Sequence, residues 1–266
     1  MGKIVNRKNC NTILSYKSKQ KICMITAYDA LMTKIFDNLV DIILVGDSLS
    51  MSFGGEKDTL GITLEEMIYH TKAVCRARKE AMVIFDMPFG SYLDKTQAVK
   101  NATKVYKQTC ADAIKIEGGI ERADIVKELT KNSIAVMGHI GLMPQFVRFE
   151  GGYKVKGKNE QEIDKLLKDA KAIEEAGAFC LVLEGVKSDV AKEITESIDI
   201  PTIGIGSGKD TDGQVLVWSD MLGFFEEFKP KFVKRYMNGA QIVRDAVKEY
   251  VKDVKNEKFP TKEYSY

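Results

Sequence analysis

Five short apolar runs in this sequence each finish in an ionisable side chain: ILVGD at Asp47, VIFD at Asp86, IKIE at Glu117, VMGH at His139 and LVLE at Glu184. Carboxylates that converge in a water-poor space repel one another and raise one another's pKa values unless cations compensate. Lys115, two residues before Glu117, supplies one positive charge. A hard divalent ion such as Mg²⁺, which prefers oxygen ligands, is the natural second. A metal site with open positions, an ammonium group and a spare carboxylate suit one kind of chemistry. The cation polarises a carbonyl of a small oxyacid, the ammonium stabilises developing negative charge, and the carboxylate takes a proton from carbon. Two blander readings compete: a strand-end acid often starts a turn or caps a helix, and charges also cluster in purely structural ion networks.

Such residues act together only if the backbone gathers them. Side chains alternate across a strand, so residues two apart share a face. Asp47 is expected to point with Val45, Asp86 with Ile84, Glu117 with Lys115, His139 with Met137 and Glu184 with Val182. Eight apolar runs punctuate the chain: Ile22–Thr26, 42–46, 82–85, 113–116, 134–138, 180–183, Thr202–Ile205 and 214–218. Each is rich in Val, Ile, Leu or Met and too short for a helix, as expected of parallel strands buried on both faces. Helix signals lie between them. Thr63 and Glu66 form a capping box, residues 162–176 carry an apolar face that stops at Gly177, and Ser188 is placed to cap the next helix. Eight strand–helix units predict an α/β fold, a closed (β/α)₈ TIM barrel, with a doubly wound sheet as the alternative. Residues 1–266 read as one domain, with an N-terminal helix capping the barrel bottom and a C-terminal helical tail. The charged strand ends then form a layer at the C-terminal mouth, where barrel enzymes place catalysis.

Composition narrows the function classes. The 40 basic and 38 acidic residues leave a net charge of +2, without the concentrated basic field that nucleic acid or a membrane surface demands. Hydrophobic residues make up 44% and no apolar stretch reaches the length of a membrane span. The five cysteines lack C-x-x-C spacing and no secretory signal precedes them, so they read as reduced thiols in a cytoplasmic protein, with Cys23 and Cys180 as small buried hydrophobes. Of the two histidines, His70 falls mid-helix as a packing or surface residue, whereas His139 ends a strand and reads as a hydrogen-bonding neighbour of the site. The GIGSG segment at 204–208 fails the dinucleotide pattern and reads as a tight turn. GYKVKGKN at 152–159 fails the P-loop pattern and reads as a mobile basic lid over the mouth.

At these residues the chain resembles the ketopantoate hydroxymethyltransferase family almost from end to end. The resemblance runs through ITAYD at Ile25–Asp29, VGDSL at Val45–Leu49, DMPFGSY at Asp86–Tyr92 and KIEGG at Lys115–Gly119. It continues through GHIGLMPQ at Gly138–Gln145, GGYKVKG at Gly151–Gly157, IGIGSG at Ile203–Gly208 and TDGQVLV at Thr211–Val217. It implies transfer of a hydroxymethyl group from 5,10-methylenetetrahydrofolate to 3-methyl-2-oxobutanoate, giving 2-dehydropantoate for pantothenate and coenzyme A synthesis. It implies one Mg²⁺ per subunit at Asp47 and Asp86 with Glu117 beside them, substrate contacts from Asp47, Ser48, Asp86 and Lys115, and Glu184 as proton acceptor. It also implies a large homo-oligomer, typically a decamer. The chain departs from the family's pattern at Ser50, Gly185 and Tyr264, none of them a charged site position. Lyases of the phosphoenolpyruvate mutase and isocitrate lyase kind are the nearest rival, but they carry a mid-chain cysteine loop where this sequence has GHIGLMPQFVRFEGGYKVKG. A non-catalytic barrel predicts loss of a charged strand end, and all five are present.

Overall fold

A computed structural model of the chain describes residues 7–226 and 229–266. Two compact units divide it, Met1–Val217 and Trp218–Tyr266. In the first, eight parallel strands close into a barrel in sequence order: β1 (Ile22–Thr26), β2 (Ile42–Val45), β3 (Met82–Asp86), β4 (Ala113–Glu117), β5 (Val136–Gly141), β6 (Cys180–Glu184), β7 (Thr202–Ile205) and β8 (Gly213–Leu216). The sequence expectation of a TIM barrel holds. Two boundaries move: β5 starts at Val136 and continues to Gly141, and β8 ends at Leu216, so that Trp218 opens the short helix Trp218–Met221.

Both faces of β2, β3, β4, β5 and β7 are buried throughout, which is why those runs are largely apolar. Ile42, Leu44, Met82, Ile84, Met137, Val182 and Ile203 belong to the interior cluster, together with Ile13 from the N-terminal helix Cys10–Leu14. Ile13 thus brings that helix against the barrel interior. Thr63 and Glu66 form the reciprocal capping box of helix Leu64–Ala77. Ser188 is a correction: the helix Ser188–Ser197 starts on it, with Lys187 at the N-cap and no side-chain cap.

The cysteine expectation is also corrected. Cys75, on helix Leu64–Ala77, and Cys110, just after helix Lys95–Gln108, are joined in a disulfide. They stand 35 residues apart in sequence, and only the side-by-side packing of the two helices brings them together. Cys180 is buried, but Cys23 is exposed on the outer face of β1. Among the described residues no helix is long and apolar enough to cross a membrane.

The second unit holds Trp218–Met221 and the 17-residue helix Gly239–Lys255. Trp218 packs on Phe224, and Phe259 packs between Tyr250 and Tyr264 in the tail.

Candidate active site

Register explains why the charges meet. Asp86 pairs with Lys115 across β3 and β4, and Glu117 pairs with His139 across β4 and β5. Asp86, Lys115 and His139 each follow by two residues an inward-facing neighbour (Ile84, Ala113, Met137), and Glu117 follows Lys115 by two, so all four side chains enter the barrel. Lys115 Nζ lies 2.6 Å from Asp86 Oδ1 and 3.5 Å from Glu117 Oε1. Glu184 pairs with Gly141, two residues beyond His139, and so sits one step nearer the mouth. His139 stands between the two acids: Nδ1 is 3.4 Å from Glu117 Oε1 and Nε2 is 3.4 Å from Glu184 Oε2. Neither ring nitrogen is aligned for a hydrogen bond.

Asp47 arrives by a different route. The inward residues of β2 are Ile42 and Leu44, so Val45 faces outward, and the pairing of Asp47 with Val45 is corrected. The strand ends at Val45, and a turn through Gly46 swings Asp47 to the mouth instead. A Cβ on Gly46 would stand 2.9 Å from Ser48 Oγ, so a larger residue there would push the Ser48 hydroxyl aside. Asp47 N–H donates to Asp86 Oδ2 at 3.3 Å. Ser48 shares a 2.8 Å hydrogen bond with Tyr28 OH.

The electrostatics are unbalanced. Asp47, Asp86 and Glu117 are all buried and face one ammonium group, Lys115. Burial, then the charge of Asp86, pushes Asp47 well above the usual carboxylate range. Burial also raises Asp86, with Lys115 working against it. Glu117 moves down, because Lys115 and His139 outweigh the effect of its burial. For Lys115, burial is outweighed by Asp86, Glu117 and Asp47, which hold it protonated. His139 rises to about 9: burial and Lys115 oppose its charge, and the two acids at its ring nitrogens overcome them. Among the described residues no three such side chains close into a finished metal cage. Two buried aspartates that resist ionising together nevertheless form a hard oxygen pair with a missing positive charge, a donor set that fits Mg²⁺.

One residue at the centre carries no charge, and a search for ionisable strand ends passes over it. Gln145 is buried in a 3₁₀ turn, Pro144–Phe146. Its Nε2 donates to Asp47 Oδ2 and to the Met87 carbonyl, both at 2.9 Å, and its backbone N–H donates to Glu117 Oε2 at 3.0 Å. Its Oε1 accepts from Tyr92 OH at 2.5 Å. The amide thus ties the β2 and β4 acids to the β3 loop. Its only sequence signal was its place at the end of the GHIGLMPQ block.

The remaining segments behave unequally. His70 packs as expected, with Nδ1 2.7 Å from the Tyr28 carbonyl. Ser207 Oγ donates to the Leu183 carbonyl at 2.7 Å and accepts from Val186 N–H at 3.1 Å, which folds the GIGSG segment into a tight turn. The 152–159 loop is fastened around Lys156: its N–H donates to the Gly185 carbonyl at 2.8 Å, its carbonyl accepts from Lys187 N–H at 3.1 Å, and its Nζ pairs with Glu150 Oε2 at 2.5 Å, which sets it beside Val186.

The family model described as ketopantoate hydroxymethyltransferase matches residues 7–262. This chain belongs to the ketopantoate hydroxymethyltransferase family. It is 61% identical over 260 residues to the 3-methyl-2-oxobutanoate hydroxymethyltransferase of Aliarcobacter butzleri, covering 98% of this chain and 97% of that one. The enzyme of the same name from Helicobacter pylori is 58% identical, covering 98% of this chain and 97% of its own length. Solved structures share the fold at much lower identity. Phosphoenolpyruvate phosphomutase from Streptomyces platensis subsp. rosaceus superposes with a TM-score of 0.61 at 12% identity, over 94% of this chain and 88% of that one. Family membership decides against the lyase rival, whose likeness is one of fold alone.

Proposed function

We propose that this protein transfers a hydroxymethyl group from 5,10-methylenetetrahydrofolate to 3-methyl-2-oxobutanoate, forming 2-dehydropantoate on the route to pantothenate and coenzyme A. The observation that carries the reading is the division of labour at the mouth. Asp47, Asp86, Glu117 and Lys115 form one buried cluster, while Glu184 stands apart behind His139 with 17% of its side chain exposed. Asp47 and Asp86, with Glu117 beside them, would hold one Mg²⁺ per subunit, which when bound supplies a positive charge to the keto acid's oxygens. Ser48 and Lys115 orient the substrate, and the ammonium of Lys115 stabilises negative charge as it develops on oxygen. Glu184 removes the proton from C3. The C3 carbon then bonds to the carrier's methylene carbon as the C–N bonds to that carbon break. Water supplies the hydroxyl group, its remaining hydrogen and the C3 proton go to the carrier nitrogens, and tetrahydrofolate leaves.

The protein acts as a homo-oligomer, a decamer on the family pattern, in the cytoplasm. In support, helix Gly239–Lys255 leaves Ile242, Val247, Tyr250 and Val254 exposed on the isolated chain, an apolar face that a further subunit would cover. Incubation with the keto acid, methylenetetrahydrofolate and Mg²⁺ should yield 2-dehydropantoate, and a requirement for all three is expected. Absence of product from folded, metal-loaded protein overturns the reading.

A further inference from the structure

Two adjoining cavities open on the barrel mouth beside the acidic cluster, of about 240 and 460 Å³, and they share Phe89, Gln145 and Phe149 as walls. Their lining residues come from the segments that follow β2, β3, β4 and β5, with Arg122 on the first turn of helix Ile120–Lys131. Their chemistry is unlike that of the cluster below. Among the described residues not one carboxylate lines either cavity, and the charged walls are two arginines, Arg122 and Arg148. Arg122 lies over the Tyr92 ring at 5.6 Å, and its buried Nε has no hydrogen-bond partner among the described residues. Arg148 is held by Asp58 at 3.1 Å with most of its side chain still in solvent. Phe149 is 90% exposed and Phe89 52% exposed, and both rings wall the same two adjoining cavities.

We infer that these joined cavities seat the one-carbon carrier, with its flat heterocycle on Phe89 and Phe149 and its acidic tail toward Arg122 and Arg148. The inference rests on the proposed reaction, which needs a second, larger reactant beside the keto acid. The small acid and its metal are provided for in the buried cluster, and nothing there would hold a carrier. Flat rings stack on exposed aromatic faces, and guanidinium groups pair with carboxylates through paired N–H donors. The position is also right for transfer. Gln145 walls both cavities, and its Nε2 bonds Asp47 Oδ2 at 2.9 Å, so one side chain separates the carrier's place from the keto acid's. The Gln145–Tyr92 hydrogen bond at 2.5 Å joins a second cavity wall to the same support. A carrier settling there presses on residues that hold Asp47 and Glu117.

The test uses full-length oligomeric protein and tetrahydrofolate itself, titrated by calorimetry under anaerobic conditions without keto acid. Wild type should bind it saturably. Phe149→Ala and Phe89→Ala, both at exposed positions that leave the core untouched, should each weaken binding about tenfold, the scale expected for losing one aromatic stacking partner. Arg122→Met should weaken a triglutamylated carrier more than one without glutamate. The Michaelis constant for methylenetetrahydrofolate should rise in parallel, while that for 3-methyl-2-oxobutanoate stays within about twofold. If wild type turns over and binds the carrier but all three variants bind it equally well, the carrier sits elsewhere and the pocket assignment is wrong, with the activity intact. If Phe149→Ala changes the oligomeric mass and leaves carrier affinity alone, these rings are a subunit contact, which also overturns it. If wild type neither binds nor uses any folate, the proposed reaction falls and takes this site with it.

Discussion

Asp47 shows what a buried acid costs when its partner is missing. Its ordinary pKa is raised chiefly by burial and then by Asp86, so the ionised side chain works against folding at neutral pH. Replacing it with Asn removes that opposition and keeps an oxygen for Gln145 Nε2. Metal-free Asp47→Asn is therefore expected to melt at or above the wild-type temperature, to bind Mg²⁺ more weakly and to turn over slowly. Unchanged Mg²⁺ affinity by calorimetry, with normal rate, sinks the metal assignment. Glu184 makes the complementary case. Removal of the C3 proton needs no folate, so wild type with Mg²⁺ should exchange the C3 hydrogen of 3-methyl-2-oxobutanoate in deuterated water. Glu184→Gln should still bind the acid and lose exchange by about 10² or more, the scale of a positioned general base. Exchange at the wild-type rate would transfer the role to another group, His139 first. The five ionisable residues that end apolar runs were legible in the sequence, because five such ends in one chain are harder to explain as turns and caps than any one of them alone. Gln145 was not, since a neutral amide at a loop position looks the same whether it holds two carboxylates or faces water.

At the scale of elements, register does what residue types alone cannot. The pairing of Asp86 with Lys115 and of Glu117 with His139 follows from the stagger of neighbouring strands. That stagger is set by the whole closed barrel rather than by any local run. Alternation gave the right face for Asp86, Glu117, His139 and Glu184, which lie on or within their strands. It failed for Asp47, which lies past the end of β2, where the pleat no longer applies. The Cys75–Cys110 disulfide was invisible for a related reason, since it depends on which helices are neighbours. Gly141 tests the register directly. It ends β5 with φ of +100°, and a Cβ there would lie 2.3 Å from the Glu184 carbonyl oxygen. Gly141→Ala must therefore pay for both an unfavourable backbone and a displaced β6. Its stability should fall by on the order of 2–4 kcal/mol in denaturant unfolding, and kcat should fall with Glu184 out of place. Wild-type kcat in this variant would show that the step from His139 to Glu184 does not matter.

A barrel is only as sound as its closing seam, and here the seam is latched by one acid. β7 and β8 share just two paired positions, Ile203 with Gly213 and Gly204 with Gln214, before β8 hands on to β1. Asp212, at the foot of β8, makes up for this short ladder. Its carboxylate accepts from Thr202 N–H at 2.9 Å, from Ser18 N–H at 3.0 Å and from Lys17 Nζ at 3.0 Å, and its own carbonyl accepts from Ile22 N–H at 2.9 Å. One side chain thus binds β7 and the segment entering β1. Burial alone would raise its pKa, but the Thr202 and Ser18 N–H groups and Lys17 outweigh it and hold the carboxyl below 3.8. A depressed carboxylate pKa means that the unfolded chain takes up the proton more readily than the folded one. The latch is therefore fully stabilising above the unfolded value near 3.8, and it weakens as pH falls through the lower folded value. Asp212→Asn keeps the shape and removes the charge, so it should cost on the order of 2 kcal/mol at pH 7, as lost charge-assisted hydrogen bonds do. The gap between wild type and variant should then close as the solution is acidified, because the wild type is losing what the variant already lacks. Urea unfolding of both proteins from about pH 7 to about pH 3 measures it. A gap that stays constant across that range would mean that the seam is held by neutral contacts and that the charge of Asp212 adds nothing to it.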